Sequence, residues 1–298
     1  MDLKVLKNKP SWPFETIGVA IAFSPRLEML LAEAKRLSEL FSAKLILIHV
    51  GKKSASLEAD LQVIITKLGF IEGTYTPIWK EGHPVDTILH VCKDNAVDLL
   101  IAGAVERESM LRFYIGSVSR EICRKAKCSV LMLTEPSIAG TVFKNIVVNG
   151  VEHPKTRHTL GTVLYFAQKE KADRVTLVRE IHMPAMAMSS AESGTEADKL
   201  KQELIEEETA GLHDLLQQVD SGTMKIGVES VFGKTGHAIA SYAKQQGADL
   251  LVINSTDHHL TILDRLFTHD IEFILADLPC NLLIVHSRVE GELNKLSH

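Results

Sequence analysis

The segment "AVDLLIAGAVERE", residues 96–108, decides the fold, because the chain contains a close parallel to it in "GADLLVINSTDHH", residues 247–259. Both segments place an aspartate directly before an apolar run, and both continue into polar residues. A short, continuously apolar run is typical of a strand that is buried in a parallel sheet. Its recurrence predicts that one structural unit is present twice in the chain.

Three pairs of equivalent residues support the duplication: Asp98 and Asp249, Gly82 and Gly233, and Cys128 and Cys280. Their separations are 151, 151 and 152 residues. Within each copy, five strand-like runs alternate with four helix-like segments, beginning with "TIGVAIAFS" in the first copy and "KNIVVNGV" in the second. The pattern predicts an α/β fold with two tandem doubly wound domains, each a five-stranded parallel sheet with helices on both faces.

The boundary between the copies is expected in "TEPSIAGTVF", residues 134–143, where Pro and Gly interrupt the apolar pattern. We therefore predict domains at 1–140 and 141–298. The second copy contains an insertion, because the second strands, at Ile48 and Val178, are separated by 130 residues and the later landmarks by 151. Its polar and small residues predict a mobile loop near 183–200.

Composition narrows the classes of function. The chain has 298 residues, 45% of them hydrophobic, which is enough to bury a sizeable core. A net charge of −5 with scattered Lys and Arg gives no basic stripe, so nucleic acid is not an expected partner. The chain has no apolar run of the roughly 20 residues that a bilayer requires, and its first residues lack the apolar centre of a signal peptide. We expect no membrane partner and a cytoplasmic location.

The four cysteines show no CxxC spacing, so neither a disulfide framework nor a structural zinc site is indicated. We expect all four to pack as small apolar side chains.

The loop after the fourth strand of the first copy contains Gly103 and, thirteen positions later, the pair Gly116 and Ser117. Glycines between a strand and a helix allow the backbone to approach a phosphate. Glu106 and Glu108 place two carboxylates in the same loop and oppose an anion there. Tight packing between strand and helix is an equally good explanation of the glycines.

A duplicated five-stranded α/β unit with this glycine spacing resembles the universal stress protein family in its tandem form, and the resemblance covers residues 14–288. In family members that bind ATP, the loop reads G-x2-G-x9-G-[S/T], and an aspartate at the end of the first strand meets the adenosine. This chain departs from the pattern, because Glu106 stands at the second glycine and Ala22 at the aspartate.

The resemblance implies that the first copy holds ATP or AMP through a cofactor-binding set of Ala22, Val50, Gly103, Arg107, Gly116, Ser117, Val118 and Ser119. In the second copy the motif is degenerate. Its residues at the positions of Ala22, Gly103, Glu106 and Gly116–Ser117 are predicted to be Asn149, Asn254, Asp257 and Thr268–His269.

The resemblance further implies a non-enzymatic stress-response module in which the two domains form an internal pseudo-dimer, with the final strands "CSVLML" and "NLLIVH" paired. The alternative is a nucleotide-free scaffold or sensor that works through protein contacts or another small ligand. Assembly into a homodimer and the identity of a protein partner stay open.

A metal-assisted hydrolase is the third hypothesis. His258, His259 and His269 are metal ligands by residue type, but their spacing matches no known ligand pattern, and we expect no metal. Gly233, Lys234 and Thr235 look like the end of a P-loop, but a valine stands where that motif needs its first glycine.

Overall fold

The computed structural model describes residues 11–107, 112–114, 116–181, 194–222, 224–255 and 271–286, without the side chains of 105–107, 112–114 and 194–197. The chain divides into two compact units. The first contains Met1–Val142 and Asn281–His298, and the second contains Phe143–Cys280. The final strand of the second sequence copy thus belongs to the first unit, whereas our predicted ranges 1–140 and 141–298 give it to the second.

The first unit consists of alternating strands and helices. In chain order they are β1 Thr16–Ile21, α1 Leu27–Phe41, β2 Lys44–Val50, α2 Ala55–Lys67, β3 Tyr75–Lys80, α3 Pro84–Asp94, β4 Leu99–Gly103, β5 Val105–Arg107, β6 Arg112–Tyr114, α4 Ser117–Lys125 and β7 Ser129–Leu133. The second unit contains β8 Asn145–Asn149, α5 Thr156–Glu170, β9 Arg174–Ile181, α6 Gly194–Gln217, β10 Ile226–Phe232, α7 His237–Gln245, β11 Leu250–Asn254 and a short helix α8 at 271–276. The last strand, β12, is Asn281–Val285.

In the first unit, β7, β4, β1, β2 and β3 lie side by side in that order, and neighbouring strands are parallel. In the second unit, β10, β9, β8 and β11 are arranged in the same way. The chain moves along the sheet in one direction from β1 to β3 and then returns to form β4 and β7 on the other side of β1. Since the crossovers between parallel strands are right-handed, the helices before β2 and β3 lie on one face of the sheet and those before β4 and β7 on the other. Each sheet is therefore doubly wound. The predicted fold class is confirmed.

The fifth strand of the second copy, β12, pairs antiparallel with β7, so that Leu283 lies opposite Leu131. The pairing is secured at one end by Asn281, whose Oδ1 accepts hydrogen bonds from the backbone N–H of Thr134 at 3.0 Å and from its hydroxyl at 3.3 Å. Both side chains are buried. The predicted pairing of "CSVLML" with "NLLIVH" is confirmed.

The aspartate of each repeated segment joins two strands. Asp98 is 3% exposed, and its Oδ2 accepts hydrogen bonds from the backbone N–H groups of Glu15 at 2.8 Å and Thr16 at 2.9 Å. Asp249 accepts the equivalent bonds from Lys144 at 2.8 Å and Asn145 at 2.7 Å. An aspartate thus stands directly before the fourth strand in both copies for a structural reason. In each copy it attaches the start of the first strand to the start of the fourth strand.

The segment between the copies is held by a buried carboxylate. Glu33 of α1 is fully buried, accepts the backbone N–H of Thr141 at 2.6 Å and lies 2.7 Å from the Arg36 guanidinium. Gly140 has a φ of +82°, a conformation that favours glycine, and a Cβ there would lie 2.5 Å from Cδ of Arg36. The predicted boundary is thus a turn attached to α1.

Two expectations about the second copy need correction. Helix α6 begins at Gly194, so the predicted loop near 183–200 is helical in its last part, while residues 182–193 lie outside the described ranges. The equivalence of Asn149 with Ala22 is wrong. The backbone N–H of Asp98 donates to the carbonyl of Thr16, and that of Asp249 donates to the carbonyl of Asn145. Asn145 is therefore the equivalent of Thr16, at an offset of 129 residues. The same offset makes Val151 the equivalent of Ala22.

Candidate functional site

The carboxyl ends of β1 and β4 form the natural ligand-binding edge of the first unit. β1 leads through α1 to β2 on one side, whereas β4 lies on its other side, and ligands of open α/β sheets bind where the strand order reverses in this way. We call the residues at these ends, Ala22, Arg26, Gly103 and Ala104, the first crevice.

The predicted cofactor-binding residues lie on several elements around this edge. Ala22 follows β1 and is exposed, Val50 ends β2 and is half-buried, Gly103 ends β4, and Arg107 ends β5, while Gly116, Ser117, Val118 and Ser119 form the start of α4. Because β2, β1 and β4 are parallel neighbours, Ala22, Val50 and Gly103 come to the same edge of the sheet. Nucleotide contact by these residues stays a prediction.

The connection after β4 is a small hairpin. β5 and β6 pair antiparallel, with Glu106 opposite Phe113 and Arg107 opposite Arg112. Replacing the second motif glycine by glutamate is compatible with this extended backbone, which needs no positive φ. Hairpin pairing also uses backbone N–H groups that a glycine-rich phosphate loop would leave available.

Two places at this edge of the first unit, Gly103 in the first crevice and the start of α4, are suited to a ligand. A Cβ added to Gly103 would meet no atom of the described residues within 4 Å. Helix α4 starts at Gly116, which caps it with a φ of −59° and no side-chain hydrogen bond, and its first turn contains no acidic residue. Ser117 and Val118 are exposed there. A helix start without a capping carboxylate keeps the partial positive charge that attracts anions.

The Arg26 guanidinium lies across this crevice, and sequence analysis missed it. Arg26 caps α1, and its Nη1 donates a hydrogen bond to the carbonyl of Ala104 at 3.0 Å, while Nη2 donates to the carbonyl of Thr134. The side chain therefore brings a permanent positive charge to the carboxyl ends of β4 and β7. These two bonds use two of the five N–H donors that a guanidinium has. The signal in the sequence was an arginine directly before the first helix.

Three rings form an aromatic cluster beside the crevice. Phe23 and Trp79 are stacked with centroids 5.9 Å apart, and His49 meets them edge-on at 5.1 and 4.9 Å. Nδ1 of His49 lies 3.3 Å from the carbonyl oxygen of Ile21. The imidazole thus packs at the strand ends between two rings, as expected for a structural residue rather than a general base.

The equivalent edge of the second unit is filled by polar side chains. Asn254, at the position of Gly103, donates to Thr156 Oγ1 at 2.9 Å and accepts from the hydroxyl of Thr159. Both threonines are fully buried, and Thr156 also donates to the carbonyl of Val151 at 2.6 Å. Where the first unit has open space at Gly103, the second has a hydrogen-bonded network.

Position 50 also differs between the copies. Glu180 stands at the position of Val50, and its two carboxylate oxygens accept the backbone N–H groups of Gly236 at 2.9 Å and Ile239 at 2.8 Å. This carboxylate caps α7 from within the protein. Burial raises the pKa of Glu180 above its usual value, although the backbone hydrogen bonds oppose the shift. The start of α7 is therefore already occupied by a negative group.

Glu180 should give the second unit a measurable dependence on pH. Its pKa is raised in the folded state, so its contribution to stability is fully present below the unfolded pKa, about 4.3, and falls as pH rises through the folded value. We expect the free energy of unfolding of the wild type, minus that of Glu180→Gln, to decrease between pH 4.5 and 7.5. Chemical denaturation followed by circular dichroism at both pH values measures it. A difference that is flat or rises with pH would contradict the assignment.

The cysteines pack as predicted. Cys92, Cys123 and Cys128 are buried, and Cys280 is half-buried. A hydrogen bond with Cys128 and burial raise the pKa of the Cys92 thiol, and burial raises the pKa of Cys280 to about 12. Neither thiol is suited to nucleophilic chemistry at neutral pH.

Two further observations concern metals and membranes. The described part of the chain contains no group of three or more His, Cys, Asp or Glu residues placed to hold a metal ion. The candidate ligands His258, His259 and His269 lie outside it. Among the described helices, none combines the length and the apolar character needed to cross a bilayer.

The repeated unit of alternating strands and helices, with a parallel sheet, defines the class as tandem doubly wound α/β proteins. The family model described as "Universal stress protein family" matches the chain twice, over residues 13–134 and 143–286. The chain therefore belongs to the universal stress protein family in its tandem form, and the resemblance predicted from the glycine spacing is confirmed. No protein of curated function matches it.

Solved structures share the fold over nearly the whole chain. A protein of unknown function from Pseudomonas aeruginosa PAO1 has a TM-score of 0.66 at 16% identity, covering 96% of this chain and 95% of its own. A protein from Pseudomonas aeruginosa UCBPP-PA14, assigned to the universal stress proteins, has a TM-score of 0.63 at 16% identity, with 94% of each chain covered. A universal stress protein from Archaeoglobus fulgidus has 0.60 at 12% identity, covering 92% and 99%.

Proposed function

We propose that this protein is a cytoplasmic, non-enzymatic stress-response module whose first unit binds the adenine nucleotides ATP or AMP weakly, and whose second unit binds none. The observation that carries the proposal is the contrast between the two equivalent strand ends. The edge at Gly103 has free space beside it, whereas Asn254 is tied into a network with Thr156 and Thr159.

Electrostatics supports a phosphate in the first crevice. The start of α4 at Gly116 is free of capping and acidic side chains, and it attracts negative charge. Arg26 adds a full positive charge at the carboxyl ends of β4 and β7, with donors left for an anion. In the second unit, the carboxylate of Glu180 occupies the start of α7, which is the counterpart of α3.

Adenosine recognition is expected to be weak, because Ala22 cannot supply the carboxylate that ATP-binding family members place there. The rings of Phe23 and Trp79 are already stacked on each other, so one face of each ring is covered. Most of the affinity should therefore come from the phosphates. The absence of a family aspartate also favours the second candidate, a nucleotide-free scaffold or sensor.

Titration calorimetry with ATP, AMP and adenosine separates the two candidates. We expect saturable binding of ATP, weaker binding of AMP and no measurable binding of adenosine, because the affinity follows the number of phosphates. No saturable heat with ATP up to about 1 mM, which corresponds to about −4 kcal/mol, would support the scaffold instead. Loss of phosphate from ATP over hours of incubation would overturn the non-enzymatic part.

Arg26→Gln tests the phosphate end of the site. Removing a guanidinium that contacts a phosphate costs about 1.5 to 3 kcal/mol, so we expect binding of ATP to weaken roughly tenfold or more. Arg124→Gln is the control, since it removes the same charge from the exposed last turn of α4. Equal effects of the two variants would mean that only the net charge of the unit matters.

A further inference from the structure

The second unit contains a groove between the edge strand β10 and helix α7, with a volume of about 470 Å³. Its walls include Phe232 and Tyr242, and Lys234, His237, Ser241 and Gln245 also line it. We propose that this groove binds a small aromatic carboxylate, whose ring packs between Phe232 and Tyr242 and whose carboxylate is held by Lys234 and His237. The proposal is independent of the nucleotide site in the first unit.

Size and lining support a ligand of this kind. Sites for small molecules are clefts of roughly 300 to 1,000 Å³ that combine apolar or aromatic walls with a few polar groups, and the groove has this composition. Burial raises the pKa of Tyr242, with a further contribution from the negative charge of Glu229, so its phenol stays neutral and can donate a hydrogen bond. Ser241 and Gln245 are further hydrogen-bonding groups along the same helix.

The two copies differ in charge at these positions. Gly82 and Gly233 occupy equivalent positions in the two units. The backbone hydrogen bond from Thr87 to His83 likewise matches the one from Ala238 to Lys234. Equivalent residues in this region are therefore 151 positions apart. At the places of Phe232, His237 and Gln245 the first unit has Glu81, Asp86 and Asp94. At these three positions the first unit has a carboxylate and the second has none. Lys234 stands at the position of His83.

The side chains of the first unit are also engaged with one another at these positions. His83 lies 3.3 Å from Asp86, and His90 lies 3.2 Å from Asp94. In the second unit, the His237 ring packs against Phe273 at 4.3 Å, and Lys234 Nζ lies 5.1 Å from the same ring. Phe273 thereby contacts both side chains, the imidazole of His237 and the ammonium group of Lys234.

The anion must be bound by side chains rather than by the start of α7. Glu180 already accepts the N–H groups of Gly236 and Ile239, and its charge lies near His237. The side chains available for the anion are one lysine and one histidine, and the Glu180 carboxylate lies near the histidine, so the site suits a ligand with a single negative charge. A phosphate ester, with two charges and more acceptor oxygens, would require additional donors.

The probe is 2-naphthoate, and 2-naphthamide is its uncharged analogue of the same shape, each titrated calorimetrically into the full chain. We expect one saturable site for naphthoate with a Kd below about 1 mM and at least tenfold weaker binding of the amide. Lys234→Gln should weaken naphthoate binding at least fivefold. Lys244→Gln, which removes an exposed lysine from the last turn of α7, should leave it unchanged.

Three results would overturn the proposal: no saturable binding of naphthoate up to about 5 mM, equal affinity for the amide, or equal effects of Lys234→Gln and Lys244→Gln. Lys234 and His237 are exposed, so the variants should fold, and matching circular dichroism spectra verify it. ATP binding by Lys234→Gln should equal that of the wild type. Because this readout concerns the other unit, failure of the groove and failure of the nucleotide site are distinguishable.

Discussion

Replacing Asp98 by alanine is expected to lower the free energy of unfolding of the first unit by about 2 to 5 kcal/mol. The carboxylate accepts the backbone N–H groups of Glu15 and Thr16 at 2.8 and 2.9 Å and is almost fully buried. Alanine leaves both donors without this acceptor, and each unsatisfied donor costs about 1 to 3 kcal/mol. The start of β1 would lose the side-chain hydrogen bonds that attach it to β4 and keep the backbone bond from residue 98 to the Thr16 carbonyl.

The measurement is urea denaturation followed by tryptophan fluorescence. Both tryptophans of the chain, Trp12 and Trp79, belong to the first unit, so the signal reports the unit that carries the substitution. Asp94→Ala is the control, because that carboxylate is 56% exposed on α3 and its ion pair within the described ranges is with an exposed histidine. An Asp98→Ala transition that coincides with the Asp94→Ala transition would contradict the structural role of Asp98.

Substituting Gly116 by glutamate is expected to weaken ATP binding in the first unit by about thirtyfold or more, which is about 2 kcal/mol. Gly116 caps α4, whose start has no other acidic residue, and a carboxylate there would neutralise the positive end of the helix and repel phosphate. Its φ of −59° is open to any residue, so the backbone should tolerate the change.

Gly116→Ala separates the charge from the side-chain volume. It keeps the helix start uncharged and should reduce ATP binding only a few-fold. Equal unfolding curves of the two variants would exclude a folding defect as the cause. If Gly116→Glu binds ATP as tightly as the wild type, the phosphates lie elsewhere and the family motif has lost its function here.

The sequence predicted the architecture because the physical signals were strong and repeated. Short apolar runs that alternate with helix-like segments were enough to predict the doubly wound topology. The offset of 151 residues between Asp98 and Asp249, compared with the smaller offset at the second strands, was enough to predict the insertion after β9. The offset at the first strand was misread by two residues, although Pro25 and Pro154 already indicate 129. Strand ends are poorly marked by hydrophobicity, because the last residue of a strand can be apolar or polar.

The candidate site was only partly predictable, since it depends on side chains that meet across long separations in sequence. The contact of Arg26 with the carbonyls of Ala104 and Thr134 spans 78 and 108 residues. Asn254 was recognised as a lost glycine, but its bonds to Thr156 and Thr159 were not. A motif indicates where a ligand could bind, whereas the partners that open or fill that place come from the fold.

The stoichiometry of ATP binding shows whether the chain has one nucleotide site and whether that site lies in the first unit. Calorimetric titration of the full chain should give one ATP per chain for the wild type and loss of that site in Gly116→Glu, because the strand end at Gly103 has space beside it among the described residues, whereas Asn254 fills the equivalent strand end. Two sites per chain, one site that survives Gly116→Glu, or no saturable heat with ATP up to about 1 mM would contradict the account.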